Sequence, residues 1–157
     1  MEGPSTSSRP DLSAQAFNRR GAGHLPGLVG LEIISVTSEA IESRLPVRPE
    51  LLAPNGYLHA ASVIALADTS CGYGCVVNLP QGARGFTTIE LKTNFLGSAL
   101  EGALHCRAVP VHLGRTTQVW DANVTVEGSG KGIALFRCTQ MVLWPKEGAK
   151  VAKQRPA

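Results

Sequence analysis

Hydrophobic positions change their spacing twice along the chain. Short apolar runs come first: "GLEIISV" (30–36) and "EAIESRLPV" (39–47) read as two strands around a brief turn. Pro46, Pro49 and Pro54 interrupt the next segment, which makes "RPELLAPNGY" a loop. From about His59 to Asn78 the chain is apolar nearly all round. Val63, Ile64, Leu66, Ala67, Cys71, Tyr73, Cys75 and Val76 leave no polar stripe, the mark of a buried helix. "LPQGARG" ends that helix with Pro80, Gly82 and Gly85. Gly72 and Gly74 lower its propensity and mark places where another backbone packs close.

The period then becomes two. "FTTIELKTNFL" (86–96) alternates, with Thr87, Ile89, Leu91, Thr93 and Phe95 on one face and Thr88, Glu90, Lys92 and Asn94 on the other. "ALHCRAVPVHL" (103–113), "TTQVWDANVTVEG" (116–128) and "GIALFRCTQMVLW" (132–144) are three more strands, separated by the turn signals "GSALEG", "GR" and "GSGKG". Two strands, one long helix and four strands predict an α+β fold, its antiparallel sheet curled around the helix. The organisation predicted is a flexible N-terminal tail over residues 1–20, one domain over 21–146 and a basic tail over 147–157.

Charge and composition narrow the function. A formal charge of +3, much of it near the C-terminus, and an aromatic content of 5% without a basic stripe argue against nucleic acid as a partner. No uninterrupted apolar run reaches the roughly 18 residues of a membrane span. The polar start "MEGPSTSSRPDLSAQ" lacks the apolar core of a signal peptide. Cys71, Cys75, Cys106 and Cys138 form no CxxC pair, so they read as core thiols in a cytoplasmic protein rather than as zinc ligands or disulfides.

One residue does not belong to that pattern. Asp68 lies in the middle of the most hydrophobic helix, and a buried carboxylate without a partner is costly. Local hydroxyls of Thr69 and Ser70 could satisfy it. "LADTSCG" also contains the Asp-Thr-Ser of a dimeric aspartic protease, but the preceding "HAASVIALA" is helical, whereas that site needs a strand there. A third reading pairs the acid with a helix start. The loop "APNGYLHAA" brings Gly56 and His59 to the N-terminus, where free N–H groups and the helix dipole polarise a carbonyl and hold an oxyanion. Asp68 is then the base or nucleophile. Ala60 and Asp68 are about 12 Å apart along a helix rising about 1.5 Å per residue, too far to meet at one carbonyl. Catalysis therefore requires a site shared by two subunits.

"NGYLHAASVIALADTSCGYGC", "TTIELKTNFLGSALEG" and "HLGRTTQVWDANVTVE" together resemble the hotdog-fold acyl-CoA thioesterases, within them the phenylacetate-degradation and 4-hydroxybenzoyl-CoA thioesterase branch. The resemblance runs from about Gly30 to Pro145. It implies a hotdog fold, a homodimer commonly paired into a tetramer, and hydrolysis of a CoA thioester without metal or retained cofactor, CoA being part of the substrate. It puts the acid's role on Asp68 and carbonyl polarisation on the Ala60 amide, with Gly56 and His59 shaping the helix start. Ala60-Ala61 replaces the usual Gly-Gly, so Ala61 adds a Cβ where acyl or pantetheine atoms pass. The Asn or Gln often found six residues before the His is Ala53, and Asn55 is the candidate replacement. The hydroxyl that one branch carries four residues after the acid is Gly72, leaving Thr69 or Ser70 to stand in. An Arg-Pro pair common after the long strand is Gly97-Ser98, one phosphate contact fewer. At the nucleotide end, Arg115 and Thr116 of the "GRTT" turn and Lys146 are the candidate phosphate ligands. A hydratase on the same fold fits "NGYLHAA" poorly. A protein that binds acyl-CoA without turnover is the alternative from another functional class.

Overall fold

The computed structural model describes residues 10–145; Lys146 and the predicted tail over 147–157 lie outside the described residues. Helices α1 (Ala14–Gly21) and α2 (Leu25–Val29) precede strands β1 (Glu32–Val36) and β2 (Ile41–Pro46). A single 3-10 turn (Pro49–Leu51) leads to the long helix α3 (Ala60–Val77). Strands β3 (Gly85–Phe95), β4 (Ala103–Leu113), β5 (Thr117–Val126) and β6 (Gly132–Leu143) come after it. All six strands form one antiparallel sheet in the order β1-β2-β4-β5-β6-β3, and α3 packs against β2 to β6. This is the expected α+β hotdog architecture.

The core lies between α3 and the inner face of the sheet. Leu66, Cys71 and Cys75 of the helix are fully buried with Leu104, Trp120 and Ile133 of the strands. Each large apolar side chain buried there contributes about 1.5–3 kcal/mol. The glycines of α3 admit rings rather than the neighbouring backbone that the sequence suggested. A Cβ on Gly74 would stand 2.5 Å from the Trp120 ring, and one on Gly72 would stand 3.0 Å from Phe86. The four cysteines are free and buried, and burial pushes the Cys106 thiol up to about 11 and the Cys75 thiol up to about 12. By length and mean hydropathy α3 is the one helix among the described residues suited to cross a membrane. Asp68 interrupts its apolar run, and in this fold it is the wrapped core helix.

Of the tail expected over residues 1–20, residues 1–9 lie outside the described residues and residues 14–20 belong to α1. Ser13 caps α1, its hydroxyl accepting from the Ala16 N–H at 3.2 Å. Phe17, 1% exposed, stacks on Tyr73 of α3 with ring centroids 4.3 Å apart. That aromatic burial fixes α1 to the core, and the apolar spacing of Ala14, Phe17 and their neighbours is too short to stand out in the sequence.

Strict alternation fails in β3 at one place. Thr88 pairs with Gln140 and Glu90 with Thr139, so a β-bulge lies between Thr88 and Glu90. Paired residues share a face, which puts Phe86 and Thr88 inside with Leu91, Thr93 and Phe95, and Thr87 outside. The expected assignment of Thr87 and Thr88 is therefore reversed. The bulge turns the chain by one residue, a change that a period-two pattern does not register.

Candidate functional site

The start of α3 is a prepared donor site. Ala53 N–H donates to Tyr57 O at 2.7 Å and Gly56 N–H donates to Ala53 O at 2.8 Å, closing a tight loop. Gly56 takes φ +85 there, with nothing within 4 Å of where a Cβ would be, so it serves the turn and not close approach. Leu51 O accepts both His59 N–H and Ser62 Oγ–H, each at 2.9 Å, and so clamps the loop to the first helical turn. His59 is the N-cap: its Nδ1 accepts from Ala61 N–H at 3.0 Å. The ring therefore carries no proton on Nδ1, and its work is to orient the helix start. Ala60 N–H has no partner among the described residues, and His59, Ala60 and Ala61 are all exposed. A free N–H at the positive end of the dipole suits a developing oxyanion.

Asp68 lies two turns further on, half-buried, on the flank of α3 that faces β3. Burial pushes its carboxyl above the ordinary aspartate range, and the Thr88 hydroxyl lies 3.4 Å from Oδ1, where its hydrogen, if turned to the carboxylate, would offset part of that. Burial is the leading cause of the shift, and no Lys, Arg or His among the described residues takes part. Three carboxylates elsewhere contrast sharply. Glu42 of β2 meets Arg107 and His105 and Asp121 of β5 meets Arg137 at 2.5 Å, both on the outer face, and Glu127 in the turn after β5 meets Arg44 at 2.7 Å. Asp68 is held on the inner side without a cation among the described residues, an environment that suits a carboxylate to proton transfer.

Thr88 is a residue that sequence reasoning missed. Its hydroxyl donates to Oε1 of Gln140 at 2.9 Å, and Gln140 is fully buried. Position 72, where the hydroxyl is expected four residues after the acid, is glycine, and a Cβ there would crowd the Phe86 ring at 3.0 Å. Two residues along the same face of β3, Thr88 presents a hydroxyl to Asp68 instead. A chain-order signal existed only in the bulge, which the alternation concealed.

The remaining candidates divide. Ser70 is turned away from Asp68: it donates to Leu66 O at 2.7 Å and shares a hydrogen bond of 2.6 Å with Ser43 in the core. Thr69 is half-buried and makes no side-chain hydrogen bond among the described residues. Asn55 is exposed, its Oδ1 accepting from Tyr57 N–H at 3.2 Å, an Asx turn that braces the loop. Arg115 lies in the β4–β5 turn with its guanidinium 4.2 Å from the centre of the Trp144 ring, whose Nε1 donates to Arg115 O at 3.1 Å. Thr116 accepts Val142 N–H through its carbonyl, leaving its exposed hydroxyl outward. The fold thus brings Asp68 and Thr88 together, and leaves Ala60 at one end of α3 and the Arg115–Trp144 pair elsewhere. Among the described residues no group of three His, Cys, Asp or Glu side chains converges to hold a metal.

Comparison with known proteins bears on this arrangement. The family model described as the thioesterase superfamily matches residues 55–133, from the loop before α3 to the start of β6. A 1,4-dihydroxy-2-naphthoyl-CoA hydrolase of Listeria monocytogenes is 31% identical over 111 residues, 71% of this chain and 89% of that protein. The chain belongs to the thioesterase superfamily. A second thioesterase relative, the 1,4-dihydroxy-2-naphthoyl-CoA hydrolase of Escherichia coli (strain K12), is 27% identical over 135 residues, 84% of this chain and 96% of that one. The crystal structure of a thioesterase from Haemophilus influenzae superposes with a TM-score of 0.82 at 25% identity, covering 89% of this chain and 97% of that chain. This thioesterase therefore matches these three proteins over 89–97% of their own length.

Proposed function

We propose that two copies of this thioesterase build shared sites and hydrolyse an acyl-CoA thioester to the free acid and CoA. The observation that carries the reading is the separation of two prepared groups on one helix. The free Ala60 N–H and the Asp68 carboxylate, which has no cation beside it, lie about 12 Å apart along α3. Antiparallel pairing of β3 with the same strand of a second copy puts each Asp68 flank against the other chain's helix start. Ile89, Leu91 and Phe95, 41–51% exposed along that edge, are the apolar surface the second copy covers.

At each site the thioester carbonyl oxygen accepts from the Ala60 N–H of one copy, and Asp68 of the other takes a proton from water. The water oxygen bonds to the carbonyl carbon and the carbonyl π pair moves to the oxygen. Collapse re-forms the carbonyl, breaks the C–S bond and releases CoA thiolate, which recovers the proton from Asp68. CoA thus enters and leaves as substrate, with no retained cofactor or metal. Arg115, braced on Trp144, and Thr116 receive the phosphates of the nucleotide. The relatives named as naphthoyl-CoA hydrolases support an aryl acyl group, as in the phenylacetate and 4-hydroxybenzoyl branch, with medium-chain thioesters next. Pairing of dimers into a tetramer and a reducing, cytoplasmic setting for the four free thiols complete the reading.

The decisive experiment separates shared from single-chain sites. Ala60 is the first helical residue, so Ala60→Pro deletes its N–H while keeping the helix. CoA release from aryl and aliphatic acyl-CoAs falls by about 10²–10³-fold in Ala60→Pro and by about 10²–10⁴-fold in Asp68→Asn. Unfolding and refolding the two variants together restores about a quarter of wild-type turnover, one intact site in each mixed dimer. No restoration places both groups' work within one chain. Saturable acyl-CoA binding with no turnover by the wild type makes the protein a binder.

A further inference from the structure

Thr88 has a single hydroxyl hydrogen and two acceptors within reach, Gln140 Oε1 at 2.9 Å and Asp68 Oδ1 at 3.4 Å. The shorter contact takes the hydrogen. Gln140 is oriented as its acceptor: the side chain is 0% exposed, its Nε2 lies on Cys138 Sγ at 3.2 Å and its Oε1 faces Thr88. With its hydrogen committed to Gln140, the Thr88 oxygen offers Asp68's neighbourhood only lone pairs.

We propose that Gln140 is a positioning residue: by taking the Thr88 hydrogen it makes Thr88 a second acceptor beside Asp68. A water held by both donates one hydrogen to the Asp68 carboxylate and the other to Thr88 Oγ1. Its free lone pair then points away from both acceptors, towards the thioester carbon. The arrangement rests on the thioester-hydrolysis reading and selects within it. Asp68 acts as general base on water, since a carboxylate attacking directly has no use for a second acceptor. The titratable neighbours of Asp68 are Cys71 on its own helix and, beyond it, Cys138 of β6 and Cys106 of β4; on β3 it meets the Thr88 hydroxyl.

The experiment follows the Asp68 carboxyl by ¹³C NMR titration in the full-length protein, alongside kcat and KM for CoA release. Gln140→Met removes the acceptor at nearly constant shape, freeing the Thr88 hydrogen to turn to Asp68. Its Asp68 titration then moves down by about one unit, and kcat falls about tenfold with KM nearly unchanged. Thr88→Val lowers kcat similarly but leaves the Asp68 titration in place, and Thr88→Ser restores the rate. In the double variant the titration returns to the Thr88→Val position. An upward shift in Thr88→Val, or no shift in a folded Gln140→Met, overturns the proposal, because the hydrogen then already lay on Asp68 or played no part. Should Gln140→Met not fold, Thr88→Val alone decides. The titration reads the position of the hydrogen whether or not CoA is released. A wild type that is inactive, or an Asp68→Asn variant that stays active, overturns the hydrolysis reading instead.

Discussion

The sheet has two edges, and the chain treats them in opposite ways. At β1 the side chain of Asn18, from α1, acts as a one-residue neighbouring strand. Its Nδ2 donates to Ile33 O at 3.0 Å and its Oδ1 accepts Ile33 N–H at 2.8 Å. That edge is closed to a further strand. At β3 no described element pairs with the second side of an 11-residue strand, and inner-face side chains beyond the reach of α3 stand in the open. The half-buried Asp68, with no cation beside it among the described residues, lies next to the open edge and not the closed one. An edge left unprotected in an otherwise guarded sheet is open to pairing. In the proposed function a second copy pairs there and brings its Ala60 N–H to the thioester carbonyl beside Asp68.

Placing a charge on the open edge is the most damaging change. Leu91→Glu puts a carboxylate at 41% exposed Leu91, within the apolar edge that the proposed seam would cover. The expected result is a monomer by sedimentation whose turnover falls by more than about 10²-fold, since neither shared site survives. A dimeric, active Leu91→Glu protein would sink the β3 seam.

Asp68→Asn comes next and separates function from assembly: activity drops while the oligomer persists. It also carries a stability signature. The folded carboxyl titrates above its unfolded value, so between the two the folded state holds the extra proton. Stability contributed by this group is fully present below the unfolded pKa and is lost as pH rises through the folded one. The variant lacks that loss, so it melts higher than wild type at neutral pH, with the gap closing below about pH 4. Thermal scans across pH check the sign; an Asp68→Asn protein less stable at neutral pH would show that the carboxylate has a stabilising partner. The rate profile has the matching acidic limb, displaced upwards from an ordinary aspartate.

Most of the architecture was legible in the pattern of apolar residues, and the limits have physical causes. The six strands and α3 follow from period and turn residues, because one-sided burial imposes those periods. His59, Ala60 and Asp68 were visible because a polar group in an apolar helix, and a turn that starts it, are local features. Thr88 and Gln140 were not, since their meaning comes from cross-strand pairing and from a bulge that reverses the phase of half a strand. Ser70 illustrates the converse. Close to the acid in the chain, it points into the core because successive helical residues are about 100° apart. The role of α1 was hidden for the same reason as that of Thr88: Asn18 and Phe17 act through partners distant in the chain.

The smallest effect tests the closed edge. Asn18→Ala removes two part-buried hydrogen bonds from the Ile33 backbone groups, but Asn18 itself is exposed, so its truncation opens those groups to water. Net loss is therefore about 1 kcal/mol rather than the cost of two buried orphans. A lowered melting temperature with unchanged turnover and an unchanged oligomer is expected, because Asn18 is exposed and β1 stands at the opposite margin from β3. Sedimentation at rising concentration gives the sharper readout. If the variant assembles beyond the wild-type oligomer, Asn18 alone was keeping the second edge from adding strands, and both margins are intrinsically adhesive. If only stability changes, the twist and shortness of the five-residue β1 already protect it, and the β3 margin is the one surface the sheet offers for pairing.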